Sequence, residues 1–374
     1  MRVLVTGAGG YIGGRLVPVL LERGHEVVAS FSSTPAAAPR HGRRAGRWWL
    51  PEVSVVSMDV LDGDQVRAAV RDVDAVVYLV HSLDDRDFAA RDRRGAQILA
   101  AAASAAGVER IVYLSGLVPD APEAALSAHI ASRLEVERLL AGTGVPTLTA
   151  RAAVVVGSGS TSFEIIRQVS ERLPVMALPP WLTSLVQPIA VVDVLEVLAR
   201  CLEVPARTRA FDVGGPERLS YAALLRVYAD VARLVRPQVP LLPLPALGGR
   251  RVPQEADRRA DEWAGLLARR LTGVPGETVS ALVGSLRHDM VCADDSFRSE
   301  LLPPDHRLLG VREAVERALT RPRAGVRPRD RDPMGPMPGD PAWAGGEVYL
   351  FDGEARHRPR NRVGRLLLGV RRPW

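Results

Sequence analysis

The apolar positions at the start of the chain repeat first with the period of a strand and then with that of a helix. Residues 2–6 form an apolar run of strand length, residues 15–23 have helical periodicity, and Val27–Ala29 begin a second strand. Gly24, with the polar residues after it, ends the helix. This order of strand, turn, helix and strand predicts the opening βαβ unit of a nucleotide-binding domain.

The turn between the first strand and the first helix is rich in glycine. Gly7, Gly10 and Gly13 give a GxxGxxG spacing. A turn this tight needs residues without a Cβ, so that the backbone can approach a diphosphate. The helix that follows directs its free N–H groups and positive dipole end at the same point. A glycine triplet alone could form a purely structural turn, but its position between a strand and a helix favours a nucleotide site.

The same alternation continues through the first half of the chain. Further strands are predicted at residues 53–57, 75–80, 109–116 and 145–156, with helical segments between them. The run at 75–80 is almost wholly apolar, as expected of a central parallel strand that is buried on both faces. Six strands alternating with helices predict an α/β fold with a doubly wound parallel sheet.

The regular alternation of strands and helices becomes irregular after residue 157, and this change sets the predicted domain boundaries. Residues 1–157 are assigned to the nucleotide-binding domain, with segments within 185–216 completing its sheet. Residues 158–320 read as a small, mainly helical lobe on the carboxyl edge of the sheet, where it would shape a substrate site. Residues 321–374 are rich in Pro, Gly, Arg and Asp, and predict a disordered or loosely packed tail.

Composition excludes some chemistries. All 49 basic residues are arginine, so no lysine-dependent mechanism is available. Two cysteines, Cys201 and Cys292, are too few for a disulfide framework and suit a reducing cytoplasm. No apolar run reaches the ~18 residues of a spanning helix, and Met1 leads directly into the first strand without a signal peptide. We therefore expect a cytoplasmic protein with no membrane span.

The net charge of +6 lies in the last 54 residues, which hold 12 arginines against six acidic residues. The rest of the chain is neutral, so the basic pI does not indicate specific nucleic-acid binding. The sequence also shows no set of metal ligands.

The end of the second strand bears on the choice of dinucleotide. An acidic residue there would bind the ribose 2′-OH of NAD, but Ser32 and other small hydroxyl residues stand in its place. Arg40, Arg43 and Arg44 follow, and they favour the 2′-phosphate of NADP. NAD stays an alternative, because a solvated basic loop would have the same composition.

Several polar residues follow predicted strands and are candidates for chemistry. Asp59 could accept a hydrogen bond from an adenine amino group or simply form a turn. His81 lies on the carboxyl edge of the sheet, where a structural role is also common. Ser115 ends the fifth strand, and His129 and Arg133 share one face of a helix predicted at residues 122–141.

With these motifs, the chain resembles the short-chain dehydrogenase/reductase superfamily, and within it the atypical, NAD(P)H-binding, NmrA-like branch. The resemblance covers roughly residues 1–320. It implies a Rossmann fold with a small C-terminal lobe and a bound NAD(P). The strings that carry it, besides the glycine turn, are Tyr78–Ser82, Phe88–Arg94, Ser158–Glu164, Leu173–Met176, Gln187–Ala190 with Asp193–Val194, and Asp212–Pro216. The cofactor contacts that it implies are Gly7, Gly10, Tyr11, Ile12, Gly13, Ser32, Asp59, Val60, Leu79, Val80, His81, Ala153 and Val154.

The resemblance also implies the catalytic positions. The superfamily uses a serine, together with a tyrosine four residues before a lysine, to hold the substrate oxygen and move its proton. Ser115 matches the serine, but His129 and Arg133 stand at the other two positions. His129 could relay the proton, with Arg133 binding ribose hydroxyls or a substrate anion and lowering the pKa of the imidazole. The alternative is that His129 and Arg133 are an exposed pair on a helix.

Three functions follow. The preferred one is an NAD(P)H-dependent oxidoreductase that transfers hydride to or from a small carbonyl or alcohol metabolite. The second is a non-catalytic, NAD(P)(H)-sensing regulator of the NmrA type, which the missing Tyr–Lys pair favours. The third is a redox-neutral epimerase or isomerase. A small-molecule substrate is expected in the first case, and a homodimer is among the open oligomeric states.

Overall fold

The structure is a computed structural model, which describes residues 1–32, 47–81, 87–178, 180–240 and 272–357. The strands are β1 (Arg2–Val5), β2 (Glu26–Phe31), β3 (Ser54–Ser57), β4 (Ala75–Tyr78), β5 (Arg110–Gly116), β6 (Thr147–Ala152), β7 (Val155–Val156), β8 (Met176–Leu178), β9 (Leu185–Val186), β10 (Ile189–Ala190), β11 (Arg209–Val213), β12 (Leu219–Ser220), β13 (Gln238–Pro240), β14 (Val348–Phe351) and β15 (Glu354–His357). The α-helices are α1 (Tyr11–Glu22), α2 (Gly63–Ala69), α3 (Phe88–Ala106), α4 (Ala128–Ala141), α5 (Thr161–Arg172), α6 (Val191–Glu203), α7 (Tyr221–Val231), α8 (Gly276–Val283), α9 (Ser296–Leu301) and α10 (Val311–Leu319).

The centre of the fold is a seven-stranded sheet with the order β11-β6-β5-β4-β1-β2-β3. Every neighbouring pair in it is parallel. The order reverses between β1 and β4, which creates the crevice where open α/β sheets bind ligands. The predicted doubly wound Rossmann fold is confirmed, and β11 extends the sheet beyond β6.

The alternation of side chains along the strands divides the core into two layers. Val3 and Val5 of β1 lie in one apolar cluster, with Leu16 of α1 and the buried face of α6. Leu4 lies in the other, with Leu99 of α3 and the apolar residues of α2. The helices therefore cover both faces of the sheet, and only its edges remain for binding sites.

Glycines and caps set the helix ends close to the predicted positions. α3 is followed by Gly107, which has a φ of +71° and forms the C-cap of the helix. The helix predicted from residue 122 begins later, because Glu123–Ala125 form a short 3-10 turn. Ser127 then caps α4 by accepting the backbone N–H of Ile130. His129 and Arg133 are consequently in the first two turns of α4.

The region predicted as the C-terminal lobe forms helices and small sheets of its own. It is built from helices α5 and α7 to α10, together with two-stranded sheets that pair β7 with β10, β9 with β12 and β8 with β13. The domain boundaries at residues 157 and 320 stay predictions. No helix in the described ranges has both the length and the apolar character needed to cross a bilayer.

Residues 321–357 are packed against the body, and the predicted disordered or loose tail is wrong for this segment. Met334, Val348 and Leu350 are buried, and β14 and β15 form an antiparallel hairpin. The Arg321 N–H donates to the Leu350 carbonyl at 2.9 Å. The segment lacks apolar periodicity because much of its attachment is polar. Residues 358–374 lie outside the described residues.

Candidate cofactor and catalytic site

The glycine turn has the geometry that a diphosphate site requires. Gly7 has a φ of +66°, and the Gly10 N–H donates to the Gly7 carbonyl at 2.8 Å. A Cβ on Gly13 would lie 2.4 Å from the Gly7 oxygen, so no side chain fits there. The turn thus folds closely over the start of α1, and the first N–H groups of that helix are free for an anion. These residues fit a dinucleotide.

A cavity of about 230 Å³ opens beside this turn and reaches the predicted catalytic residues. One continuous wall therefore joins the glycine turn to the ends of β4, β5 and β6 and to α4. The predicted residues that line it are Gly7, Gly10, Tyr11, Ile12, Gly13, Leu79, His81, Ser115, His129, Arg133 and Ala153. The other lining residues are Leu114, Gly116, Ala152, Val155, Ser160, Thr161, Ser162 and Leu282.

Five predicted cofactor residues do not line this cavity. Ser32 is exposed at the end of β2, and Val154 is buried in the core. Asp59 accepts the Leu61 N–H at 3.0 Å, which is the turn-forming role that the sequence left open. Val60 and Val80 are partly buried against the apolar core beneath the sheet edge. Their cofactor roles stay predictions, while Arg40, Arg43, Arg44 and Ser82 lie outside the described residues.

His129 is held in its neutral form. The side chain is buried on α4, and burial together with the Arg133 guanidinium lowers the pKa of His129 to about 3. His81 is an exposed residue of the cavity wall, and desolvation there, with Arg133 and His129 nearby, lowers the pKa of its imidazole well below the usual range. Near pH 7 both imidazoles can accept a proton but carry none to give away as imidazolium.

Arg133 is oriented by groups on the neighbouring strand β5. Its Nη1 donates to the Tyr113 hydroxyl and to the Leu114 carbonyl, both at 3.4 Å. Burial raises the pKa of Tyr113, so this phenol stays protonated. Sequence reasoning missed Tyr113, although strand alternation places it on the same face as Ser115. Arg133 therefore presents a fixed positive charge to the cavity.

Ser115 and the start of α5 supply the remaining polar groups. Ser115 is 4% exposed, and its hydroxyl has no hydrogen-bond partner among the described residues. Thr161 and Ser162 are in the first turn of α5. Their place on the cavity wall was not predicted, although the string that contains them contributed to the family resemblance. No acidic side chain is among the described residues that line the cavity.

Arg47 is a second residue that sequence reasoning missed. Its Nη2 donates to the Gly9 carbonyl at 3.0 Å, and its guanidinium lies 5.2 Å from the centre of the Phe31 ring. Phe31 ends β2, the strand whose end distinguishes NAD from NADP. Arg47 thus places a positive charge beside the glycine turn, three positions beyond the predicted arginines.

The comparisons with known proteins agree with this geometry. The NAD(P)H-binding family model matches residues 7–146. A 3-beta-hydroxysteroid dehydrogenase of Mycolicibacterium neoaurum is 35% identical over 30% of this chain and 31% of its own length. A 3-diazoavenalumate denitrifying reductase of Streptomyces sp. is 33% identical over 43% of this chain and 58% of its own length. The chain therefore spans between about a third and somewhat over half of these relatives.

Solved structures show the fold over most of the chain. The Citrobacter sp. triphenylmethane reductase complexed with NADP(H) has a TM-score of 0.59 and 17% identity, and covers 85% of this chain and 100% of its own. A nucleoside-diphosphate-sugar epimerase from Staphylococcus aureus has a TM-score of 0.62 and 13% identity, and covers 84% and 99%. Residues 7–146 therefore match an NAD(P)H-binding family model, and the chain has the Rossmann fold of these solved structures.

Proposed function

We propose that this chain is an NADPH-dependent oxidoreductase that acts on a small carbonyl or alcohol metabolite. The observation that carries the proposal is that the glycine turn and the Ser115, His129 and Arg133 side chains line one cavity. The bound nicotinamide would supply or accept the hydride. The substrate oxygen must then lie within reach of these three side chains.

The chain's own residues suit the handling of that oxygen and its proton. The Ser115 hydroxyl has a free donor, and Arg133 brings a positive charge that stabilises a developing alkoxide. Neutral His129 can accept the proton of an alcohol during oxidation, whereas the proton of the reverse reduction would come from water, because His129 carries no exchangeable positive charge near pH 7. Tyr113 is a positioning residue, because its hydroxyl accepts a hydrogen bond from Arg133 and so orients the guanidinium.

NADP is the proposed dinucleotide. The end of β2 offers Ser32 rather than an acid, and Arg47 lies beside Phe31 and Gly9.

Arg47→Ala should weaken NADPH binding by about tenfold or more, with little effect on NADH binding, because a charged hydrogen bond contributes about 1.5–3 kcal/mol. Arg67→Ala is the control, since Arg67 is an exposed arginine of α2 paired with Asp64. An equal loss for both dinucleotides would contradict the assignment.

The function is tested by titrating the purified chain with NADPH and NADH and then following nicotinamide absorbance across a panel of carbonyl substrates. His129→Ala should lower turnover by about 10²-fold or more while leaving NADPH affinity within about threefold. Turnover that survives this substitution would remove His129 from the mechanism. A chain that binds neither dinucleotide would refute the proposal as a whole.

A second candidate is a regulator that senses NAD(P)(H) without turnover. It is favoured by the absence of any lysine in the chain and by His129 and Arg133 standing at the tyrosine and lysine positions, since the superfamily's usual proton-transfer pair is then missing. Tight NADPH binding without turnover over a broad substrate panel would support the regulator. Conversion of a substrate without net absorbance change would instead support a redox-neutral isomerase.

A further inference from the structure

Residues 47–50, which precede β3, form a turn that packs against the glycine turn. A backbone hydrogen bond between its first and last residues closes this 47–50 turn. The Arg47 guanidinium donates to the Gly9 carbonyl at 3.0 Å, and the indole N–H of the fully buried Trp49 donates to the Gly14 carbonyl at 3.1 Å. The place of the Arg47 side chain therefore depends on how the 47–50 turn is held.

The Arg47 guanidinium is enclosed between the glycine turn and the end of β2. A Cβ on Gly9 would lie 3.1 Å from the Arg47 Nη2 and 3.1 Å from the Phe31 ring. The Trp49 ring stacks on the Phe31 ring with centroids 6.4 Å apart. The end of β2 is where the two dinucleotides differ, so a small displacement of the 47–50 turn would move the charge away from that position.

The C-terminal segment, residues 321–357, makes a further contact with the 47–50 turn. The exposed Arg329 guanidinium lies 5.3 Å from the centre of the partly buried Trp48 ring, within the ~6 Å of a cation–π interaction. No carboxylate of the described residues pairs with Arg329, whereas Arg327 of the same segment pairs with Asp330 at 2.7 Å. The Trp48 ring, rather than an acid, therefore places the Arg329 charge.

The same segment is anchored to α1, the helix that follows the glycine turn. Arg15 of α1 donates to the Pro333 carbonyl at 2.8 Å, and Met334 is fully buried. The chain from Arg329 to Met334 thus connects the 47–50 turn to α1. Both flanks of the glycine turn are in contact with one stretch of the C-terminal segment.

We propose that Arg329 is a positioning residue for NADP. Through the Trp48 ring it holds the 47–50 turn, and with it the Arg47 guanidinium, where the 2′-phosphate binds. This inference rests on the proposed function, in which Arg47 distinguishes NADPH from NADH. It adds to cofactor selectivity a residue that lies outside residues 7–146, the part that matches the family model. NADH has no 2′-phosphate, so loss of this contact should affect NADPH alone.

Arg329→Ala tests the contact with little risk to folding, because the side chain is exposed. Arg327→Ala is the matched control, since it removes the same charge from the same segment. Trp48→Leu removes the aromatic ring, Trp48→Phe keeps one, and Arg329→Ala combined with Trp48→Leu completes a double-mutant cycle. The dissociation constants of NADPH and NADH are measured for the full chain by calorimetry, and thermal unfolding checks that each variant is folded.

Arg329→Ala should weaken NADPH binding by about two- to fivefold, as for an exposed cation–π contact, and leave NADH binding unchanged. Arg327→Ala should leave the affinities for both dinucleotides unchanged. Trp48→Leu should lose at least as much NADPH affinity as Arg329→Ala, and Trp48→Phe should lose less. The double variant should bind NADPH no more weakly than Trp48→Leu, because both substitutions remove the same contact.

Three results would overturn the proposal. Arg329→Ala could leave the ratio of NADPH to NADH affinity unchanged, which would limit Arg329 to a structural role or to none. Arg327→Ala could lower NADPH affinity as much as Arg329→Ala, which would assign the effect to net charge. The losses of Arg329→Ala and Trp48→Leu could also add in the double variant, which would make the two residues independent.

Failure of the proposed function is recognised separately. A wild-type chain that binds neither dinucleotide, or an Arg47→Ala variant that loses NADPH and NADH affinity equally, would refute the NADP assignment and this inference together. An Arg47→Ala variant that loses NADPH affinity alone, beside an Arg329→Ala variant that loses none, would refute this inference and leave the proposed function standing.

Discussion

At the scale of single residues, the cavity holds side chains whose protonation is fixed by their surroundings. His129 loses its proton because it is buried on α4 beside Arg133. Tyr113 keeps its proton because it is buried on β5. Reaction rates governed by His129 should therefore be insensitive to pH near neutrality, since the imidazole does not titrate there.

The same residue should make stability depend on pH. The pKa of His129 is about 3 in the folded chain and 6.5 where the imidazole has no interactions, as in the unfolded chain. When the pH falls, the unfolded chain therefore takes up the proton first. This contribution to the unfolding free energy is complete above pH ~6.5 and is lost as the pH falls towards ~3. Between pH ~7.5 and ~5.5, the wild-type chain should lose about 1 kcal/mol more than His129→Gln in denaturant titrations. Equal losses would contradict a buried, neutral His129.

Single residues were predictable where their role is local. Gly7, Gly10 and Gly13 are dictated by the turn itself, and Ser115 by the end of its strand. Tyr113 and Arg47 were not, because each acts through a contact with a different element: Tyr113 with Arg133 of α4, and Arg47 with the glycine turn. A sequence gives the type of such residues but not their neighbours across the fold.

At the scale of elements, we expect dinucleotide binding to depend on the close approach of α1 to the glycine turn. Gly13→Ala would place a Cβ 2.4 Å from the Gly7 oxygen and 2.8 Å from the Ala8 Cα, and the turn would have to move. We expect NADPH affinity to fall by about tenfold or more, equivalent to about 1.4 kcal/mol.

Gly14→Ala is the matched control, since a Cβ there meets its nearest neighbour, the Ala8 oxygen, at 3.7 Å. It should keep NADPH affinity and raise the unfolding free energy by up to about 1 kcal/mol, because alanine favours a helix. Equilibrium binding and thermal unfolding of both variants provide the measurement. Equal NADPH binding by the two variants would show that the turn does not contact the dinucleotide.

Elements with apolar periodicity were predicted correctly, and the segment without it was not. Residues 343–348 are attached through their backbone to side chains of α5. Glu171 accepts the N–H groups of Glu347 and Val348, and Glu164 accepts that of Gly345. Polar attachment of this kind leaves no repeat in the sequence, and a composition rich in Pro, Gly and Arg then suggests disorder.

At the scale of the whole molecule, an ion pair joins the two ends of the described chain. Arg15 of α1 and Asp340 lie 2.7 Å apart with side-chain exposures of 4% and 9%. Arg15 also donates to the carbonyls of Pro333, Ser158 and Gly335. Asp340→Asn leaves the guanidinium without its counter-charge, so we expect the unfolding free energy to fall by about 3 kcal/mol.

An exposed pair of the same segment gives the control. Arg323 and Asp352 lie 2.9 Å apart, with exposures of 76% and 57%. Asp352→Asn should change the unfolding free energy by less than about 1 kcal/mol. The unfolding free energies of both variants are measured by denaturant titration. An equally small loss for Asp340→Asn and Asp352→Asn would mean that residues 321–357 contribute little to the stability of the body.

The double use of α5 has a consequence for regulation. One end of the helix lines the cavity, while Glu164, Arg167 and Glu171 on its flank hold residues 345–348. A ligand that orders the start of the helix should therefore stabilise the attachment of that segment. By the same coupling free energy, detaching the segment should lower the affinity for the ligand. A protease that cleaves after arginine would report this coupling: bound ligand should slow cutting within residues 321–331, and prior cutting there should lower the affinity of the cavity.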